Sequence, residues 1–364
     1  MKQSVLADHT IDYVEIYTPM AKALAYWHTE ALGFTAVACS DLESGRAGIS
    51  SYVMESGDAT VVLSSTYPIG AERGDAEIAA FVRANYCGVK RVALRVPSVK
   101  QAFERSISGG AIPVKFPTRL EDETGFIEEA AVKFYDHSEI VFSNRESYNG
   151  AWKPGYRRLK RPPGAGKVRL QAIDHIAGEV RINESGYWTN YLTQAIGTRM
   201  VQSIGTGEDN KTGMLLNINQ SPDKKLTLVI AEPENYMSKS KVQKNIETFG
   251  PGIHHLAFAT DDMVATTRAF REKNVEFVRF PDSYYALLRD NPDLRGIDLD
   301  SLQEEGILID KEQDTYLLQK FIKPISDRPF FLYEIVQRVN GYCGFALNNI
   351  NVLKRAEEME IQKV

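Results

Sequence analysis

Cysteine is nearly absent from this chain. Its three residues, Cys39, Cys87 and Cys343, lie far apart, which excludes a disulfide framework and any zinc site of the CxxC kind. Reduced thiols, and with them a cytoplasmic protein, are the expectation. Long apolar runs are missing too. Nowhere do about 18 apolar residues follow one another, so no helix should span a membrane. The opening residues carry Asp8 and Asp12 without an apolar stretch and do not read as a signal peptide.

Charge of one sign is not concentrated either. The net charge is −5 with both signs interspersed, and no aromatic–basic stripe marks a nucleic-acid face. The densest basic run, Tyr156-Arg157-Arg158-Leu159-Lys160-Arg161, precedes Pro162-Pro163-Gly164 and reads as a solvated linker. What is present is ordinary: 43% hydrophobic and 25% charged residues over 364 positions. That is enough to build about two domains with normal cores.

An internal repeat organises the chain. Ile11-Asp12-Tyr13-Val14 is followed by Ala25-Tyr26-Trp27 and Leu32-Gly33-Phe34; Ile173-Asp174-His175-Ile176 is followed by Gly186-Tyr187-Trp188 and Ile196-Gly197. Each reads as a strand, an amphipathic helix and a glycine turn into another strand. Gly88-Val89-Lys90-Arg91-Val92-Ala93-Leu94 matches Gly252-Ile253-His254-His255-Leu256-Ala257-Phe258, and helical stretches follow at 99–108 and 262–273. Ser138-Glu139-Ile140-Val141-Phe142 is set against Tyr333-Glu334-Ile335-Val336-Gln337. An acidic, helical insertion at 282–315 has no counterpart of its size in the first half. The expected domains are 1–150 and 168–364, joined by a Pro/Gly-rich linker at 148–167. Strand runs cluster after each helix instead of alternating strictly with helices, which favours an α+β fold over a doubly wound sheet.

The halves differ at three matched positions. The first has Tyr13, Arg91 and Glu139; the second has His175, His255 and Glu334. Two imidazoles and a carboxylate make the facial triad of non-haem Fe(II) oxygenases, with open positions for other ligands, although the same donors suit Zn(II) or Mn(II). Histidine is sparse, with only His9, His28, His137, His175, His254 and His255. A lone strand histidine is more often a hydrogen-bonded core residue than a ligand. Two at equivalent repeat positions, with an acid at the third, point to a metal. His254 and His255 are neighbours in a predicted strand, where successive side chains face opposite ways. One of them should ligate, and the repeat leaves open which. His28 and His137 read as structural or surface residues.

At these residues the sequence resembles the 4-hydroxyphenylpyruvate dioxygenase and hydroxymandelate synthase family, over nearly the whole chain. The carrying segments are Ile173-Asp174-His175-Ile176, Gly252-Ile253-His254-His255-Leu256-Ala257, Leu318-Gln319-Lys320-Phe321, and Asp327-Arg328-Pro329 through Glu334-Ile335-Val336-Gln337-Arg338. Ser283-Tyr284-Tyr285 and Cys343-Gly344-Phe345 are also similar. The resemblance implies two tandem vicinal-oxygen-chelate (glyoxalase-like) domains of paired βαβββ units, with one Fe(II) in the C-terminal half. It selects His255 over His254. It also implies that the substrate's own 2-oxo acid chelates the iron, that O₂ is consumed and CO₂ released, and that the remainder of the same molecule is oxidised.

The departures bear on the substrate. The family lines its pocket with a Ser, an Asn and two Gln, where this chain has Leu216, Ala231, Lys241 and His254. Gln319 is kept and is expected to be catalytic. Phe321 and Phe345 match family aromatics, and Ile350 replaces a Phe of the C-terminal helix. That helix, at 348–363, has Ile350, Leu353, Ala356 and Met359 at helical spacing. It is expected either to close over the iron as a lid, lining the pocket with Ile350 and Leu353, or simply to pack on the core. Lys241 reads equally as a substrate contact or a solvated lysine. Losing a hydroxyl and an amide relaxes or moves specificity for a phenol. The leading expectation is therefore an Fe(II) dioxygenase taking a 2-oxo acid other than 4-hydroxyphenylpyruvate. The alternatives are the ordinary family reaction and a non-enzymatic small-molecule binder. The expected partners are a 2-oxo acid and O₂, without nucleic acid or membrane, and a homo-oligomer is compatible with all of this.

Overall fold

The computed structural model describes residues 9–69, 74–160, 170–205, 213–234, 240–346, 349, 352, 353, 355 and 356. The first half runs β1 (Thr10–Tyr17), α1 (Ala21–Leu32), β2 (Thr35–Ser40), β3 (Ile49–Ser56), β4 (Ala59–Thr66), α2 (Ala76–Asn85), β5 (Gly88–Arg95), α3 (Val99–Ser108), β6 (Pro113–Asp122), β7 (Gly125–Phe134), β8 (Ser138–Asn144) and β9 (Arg157–Arg158). The second half begins with β10 (Ile173–Glu179), α4 (Ser185–Tyr191), β11 (Arg199–Gly205), β12 (Met214–Gln220), β13 (Thr227–Pro233), α5 (Lys241–Phe249) and β14 (Gly252–Ala259). It continues with α6 (Met263–Glu272), α7 (Asp282–Arg289), α8 (Leu299–Glu305), β15 (Leu308–Glu312), β16 (Thr315–Phe321) and β17 (Leu332–Val339).

Local chemistry explains where the repeated helices begin. Asp75 and Ser240 cap α2 and α5, and Ser98 and Asp262 cap α3 and α6, each accepting from the backbone N–H three residues on. Such caps satisfy one of the free N–H groups of a first helical turn. Gly33 ends α1 in the left-handed region at φ 73°, a conformation that costs glycine little.

Pairing turns these elements into four copies of one unit. In each copy the first and fourth strands run parallel, as β1 with β4, β5 with β8, β10 with β13 and β14 with β17. Two copies join through an antiparallel pair of first strands, β1 with β5 and β10 with β14. The sheets are β6-β7-β8-β5-β1-β4-β3-β2-β9 and β11-β12-β13-β10-β14-β17-β16-β15. The stretch read as a solvated linker contributes β9, which pairs with β2, and Arg157 there binds Asp41 and Glu43. The insertion supplies α7 and α8, and its end forms the edge strand β15.

Strand alternation divides the residues between two faces. Val14, Ile16, Ile176, Leu256, Phe258, Tyr333 and Ile335 join the helices in one core shared by both halves. Phe34 meets Phe258 edge to face at 5.6 Å, and buried His28 bonds Tyr333 Oη at 2.7 Å through Nε2. His28 is thus structural, while His137 is exposed. The opposite, inner face of each curled sheet carries Tyr13 in one half and His175 in the other. Among the described residues no helix is long and apolar enough to cross a membrane.

The registers correct one equivalence. Arg91 lies opposite Glu139 and Ala93 opposite Val141, whereas His255 lies opposite Leu332 and Ala257 opposite Glu334. The counterpart of Glu334 is therefore Val141, and Glu139 sits two residues earlier. Both strands contain Glu-Ile-Val, and a two-residue offset keeps every side chain on its own face, so the sequence pattern could not detect the shift.

Candidate metal centre

Three neighbouring strands at the middle of the second sheet bring His175 (β10), His255 (β14) and Glu334 (β17) together. Their ligand atoms all lie within 4.8 Å of one another. Glu334 Oε2 is 3.2 Å from Nε2 of both His175 and His255. The alternation argument for His254 fails here. His255 pairs with Ala177 and Ile253 with Gly178, so His254 is an extra, bulged residue. Its ring turns to the same side, with Nδ1 2.9 Å from His255 Nδ1. The His255 Nε2 faces Glu334, and His254 stands behind as its partner.

Each donor is held from behind. Asp174 accepts from His175 Nδ1 at 2.7 Å and is gripped by Arg338, whose Nε and Nη2 lie 2.7 and 2.9 Å away. Arg338 also donates to Gly344 O at 3.0 Å, beside Phe345. Gln319 Nε2 donates to Glu334 Oε1 at 2.8 Å, and Gln319 Oε1 accepts from Asn349 at 3.0 Å. Asn349 in turn accepts from Tyr284 Oη at 2.6 Å. Such partners fix ring and carboxylate orientation at metal sites.

The electrostatics favour a cation. Burial would raise Glu334, yet the two histidines hold it down at about 2. Burial opposes charge on His175, but the Glu334 carboxylate and Asp174 outweigh it and hold this imidazole up at about 9. Burial pushes His255 down in spite of Glu334. An ionised, buried carboxylate beside a proton-holding imidazole is an arrangement in which a metal ion replaces the proton. Two imidazole nitrogens and one carboxylate oxygen fit a divalent transition metal.

At the equivalent place in the first sheet the cation is covalently built in. Arg91 donates to Glu15 at 2.9 Å, Glu77 at 2.7 Å and Glu139 at 3.1 Å. Tyr13, in the position of His175, receives a hydrogen bond from Lys153 Nζ at 2.8 Å. These groups line a partly open cavity of about 490 Å³.

The remaining expected residues distribute unevenly. Phe321 approaches the His255 ring edge-on at 5.8 Å, and Phe345 the His175 ring at 6.1 Å. Leu216 joins Ala177, Ile204, Ile218, Val229 and Phe345 in an apolar cluster on the same inner face. Ala231 is buried one strand over, in register with Glu179. Lys241 is exposed at the first residue of α5, and its charge acts on Glu179 and His254. Gln319, expected to act on substrate, lies at the centre, with its amide donating to Glu334 and accepting from Asn349. Leu353 is half-buried against the main core. Ile350 lies outside the described residues, as do Asn348 and Met359 of the expected lid. Sequence reasoning missed Asn349, Glu179 and the Asp174–Arg338 pair. Glu179 was legible in principle, four residues after His175 on the same face.

Comparison with known proteins follows the geometry. Residues 172–290 match the Glyoxalase/Bleomycin resistance protein/Dioxygenase superfamily. A 4-hydroxyphenylpyruvate dioxygenase of Aspergillus fumigatus is 30% identical across 96% of this chain and 92% of its own. One from Yarrowia lipolytica is 30% identical across 97% and 92%. A mutant of 4-hydroxymandelate synthase from Streptomyces coelicolor shares the fold at a TM-score of 0.81 with 24% identity, covering 97% of this chain and 99% of that one. The chain belongs to the 4-hydroxyphenylpyruvate dioxygenase family of non-haem iron dioxygenases.

Proposed function

We propose that this protein is an Fe(II)-dependent dioxygenase that oxidatively decarboxylates and hydroxylates its own 2-oxo acid substrate, and that this substrate is not 4-hydroxyphenylpyruvate. The observation that carries the reading is the convergence of His175, His255 and Glu334, backed by partners that keep all three aimed at one point. Bound there, Fe(II) supplies a chelation point for the 2-oxo acid and activates O₂. Every other part falls to the protein. Asp174 keeps the proton of His175 on Nδ1, leaving Nε2 free as a donor. Likewise, a donor Nε2 on His255 requires its proton on Nδ1, so His254 Nδ1 accepts it across 2.9 Å. Gln319 holds Oε1 of Glu334 while Oε2 remains for the metal. Phe321, Phe345 and the cluster around Leu216 exclude water from the inner face.

The atoms balance without a second substrate. The 2-oxo acid loses CO₂, one oxygen atom of O₂ enters the new carboxylate and the other enters the tail. The substrate supplies all four electrons, so 2-oxoglutarate is not consumed. Leu216 and Ala231 support a tail other than the phenol. A buried phenol without a partner costs about 1–3 kcal/mol, and an apolar wall gains about 25 cal/mol per Å² covered.

The test is iron-loaded enzyme offered 4-hydroxyphenylpyruvate, phenylpyruvate and 4-methyl-2-oxopentanoate, with O₂ uptake, CO₂ release and product mass measured. One O₂ and one CO₂ per turnover, with kcat/KM lowest for 4-hydroxyphenylpyruvate, is expected. A preference for 4-hydroxyphenylpyruvate would return the chain to the ordinary family reaction. Dependence on 2-oxoglutarate would refute the mechanism.

A further inference from the structure

The inner face of the C-terminal sheet carries a buried acid that the metal centre does not use. Glu179 follows His175 and Ala177 at alternate positions of β10 and so shares their face. It is 5% exposed. Its Oε1 accepts from Asn245 Nδ2 at 3.1 Å and lies 3.8 Å from His254 Nε2. Its Oε2 is buried without a hydrogen-bond partner among the described residues. An unpaired carboxylate oxygen away from water is expensive, and burial raises Glu179 to about 8.

Its position relative to the triad gives it a use. The rings of His254 and His255, joined at 2.9 Å, stand between Glu179 and the metal-facing nitrogen. Along the same face lie Ala177, Val229, Leu216 and Phe345. The metal donors and the acid are thus linked on one side by the two histidine rings and on the other by an apolar strip through Ala177 and Val229. A 2-oxo acid chelated at the triad would extend its tail along the apolar stretch.

We propose that Glu179 receives the far end of the substrate, and that this end carries a nitrogen bearing N–H, either cationic or heteroaromatic. A cationic nitrogen takes the place of the proton that burial otherwise keeps on Glu179 at neutral pH, and a heteroaromatic N–H supplies the missing donor. A hydrocarbon tail supplies neither. Lys241 favours the charged form of Glu179, but it is exposed at the start of α5, where water screens it, and burial still prevails. This assignment rests on the 2-oxo acid reading given above.

The experiment uses the full iron-loaded chain, with Glu179→Gln and Glu179→Leu beside the parent. Binding of phenylpyruvate, indole-3-pyruvate, imidazolepyruvate and 5-guanidino-2-oxopentanoate is measured by anaerobic calorimetry, where no turnover occurs, and kcat/KM by O₂ uptake. The parent should bind at least one nitrogen-bearing acid on the order of 10- to 100-fold tighter than phenylpyruvate, the range for a hydrogen bond to a charged group. In Glu179→Leu that ratio should fall to near unity. The near-isosteric Glu179→Gln should keep the indole preference and lose the cationic one, and it carries the test if the leucine variant misfolds. Equal weakening of all four acids, accompanied by loss of bound iron, would mean that Glu179 acts only through His254; the proposal would fall and the 2-oxo acid reading would stand. A parent that favours phenylpyruvate would also overturn it. A parent that binds no 2-oxo acid would overturn both.

Discussion

Replacing Arg91 with Met tests the idea that a guanidinium does in the first sheet what a metal does in the second. Arg91 holds three carboxylates, but they are not equal. Glu77 is exposed, so its pair with Nη2 is screened and contributes little. Glu139 is buried but keeps Lys90 Nζ at 2.6 Å when Arg91 is gone. Glu15 is the group left stranded. It is 8% exposed and would keep one hydrogen bond, from the Ser64 hydroxyl at 2.6 Å, with the Lys153 charge acting from further off. Removing one partner of a buried ion pair costs about 3–5 kcal/mol. Because two of the three carboxylates keep water or Lys90, the lower end, about 3 kcal/mol, is expected for Arg91→Met. Urea unfolding at neutral pH measures it. The double variant Arg91→Met, Glu15→Gln should recover a large part of the loss, since the stranded charge is removed. Iron content should not change, because the triad lies on the other sheet. A loss below about 1 kcal/mol, or no recovery in the double variant, would refute the reasoning and make the cluster an ordinary surface network.

Three other outcomes follow from the same structure. His255→Ala should abolish stoichiometric iron binding while His254→Ala should only weaken it; full iron occupancy in His255→Ala, measured by metal analysis of the folded protein, would overturn the ligand assignment. Asp174→Asn should fold and bind iron about 10- to 100-fold more weakly, the usual effect of losing a partner behind a ligating histidine; an unchanged iron Kd would reduce Asp174 to an anchor for Arg338. His28, buried between the halves, is lowered by burial to about 4. Its folded value lies below the unfolded value of about 6.5, so its contribution is complete above pH 6.5 and is lost as pH falls toward 4. That loss amounts to roughly 3 kcal/mol in the limit. Urea midpoints between pH 7 and 4.5 should fall less steeply in His28→Gln, and identical slopes would contradict the assignment.

The sequence alone determined a good deal about this protein. Local periodicity sufficed for the helices at 99–108 and 262–273, whose caps Ser98 and Asp262 act on backbone only three residues away, but the helices capped by Asp75 and Ser240 went unread. The repeat exposed His175 and the His254–His255 pair, because divergence between copies of one scaffold marks the positions where the two differ chemically, and the family resemblance chose His255. Tertiary structure decided the rest, and the reason in each case is strand register. Whether His254 shares the face of His255 depends on a bulge against β10, which no pattern within β14 encodes. Whether Glu334 answers to Glu139 or Val141 depends on a two-residue offset that leaves the alternation intact. The basic run becomes a strand because β2 offers Arg157 and Arg158 an edge. Asp174 meets Arg338 across 164 positions, Gln319 meets Asn349 across 30, and Glu179 is stranded among Ala231, Asn245 and His254 only when β10, β13, β14 and α5 are in place. Pairings of that kind are set by how strands align and helices pack, not by the residues next door, and it is there that this chain built the parts of its site that no short segment reveals.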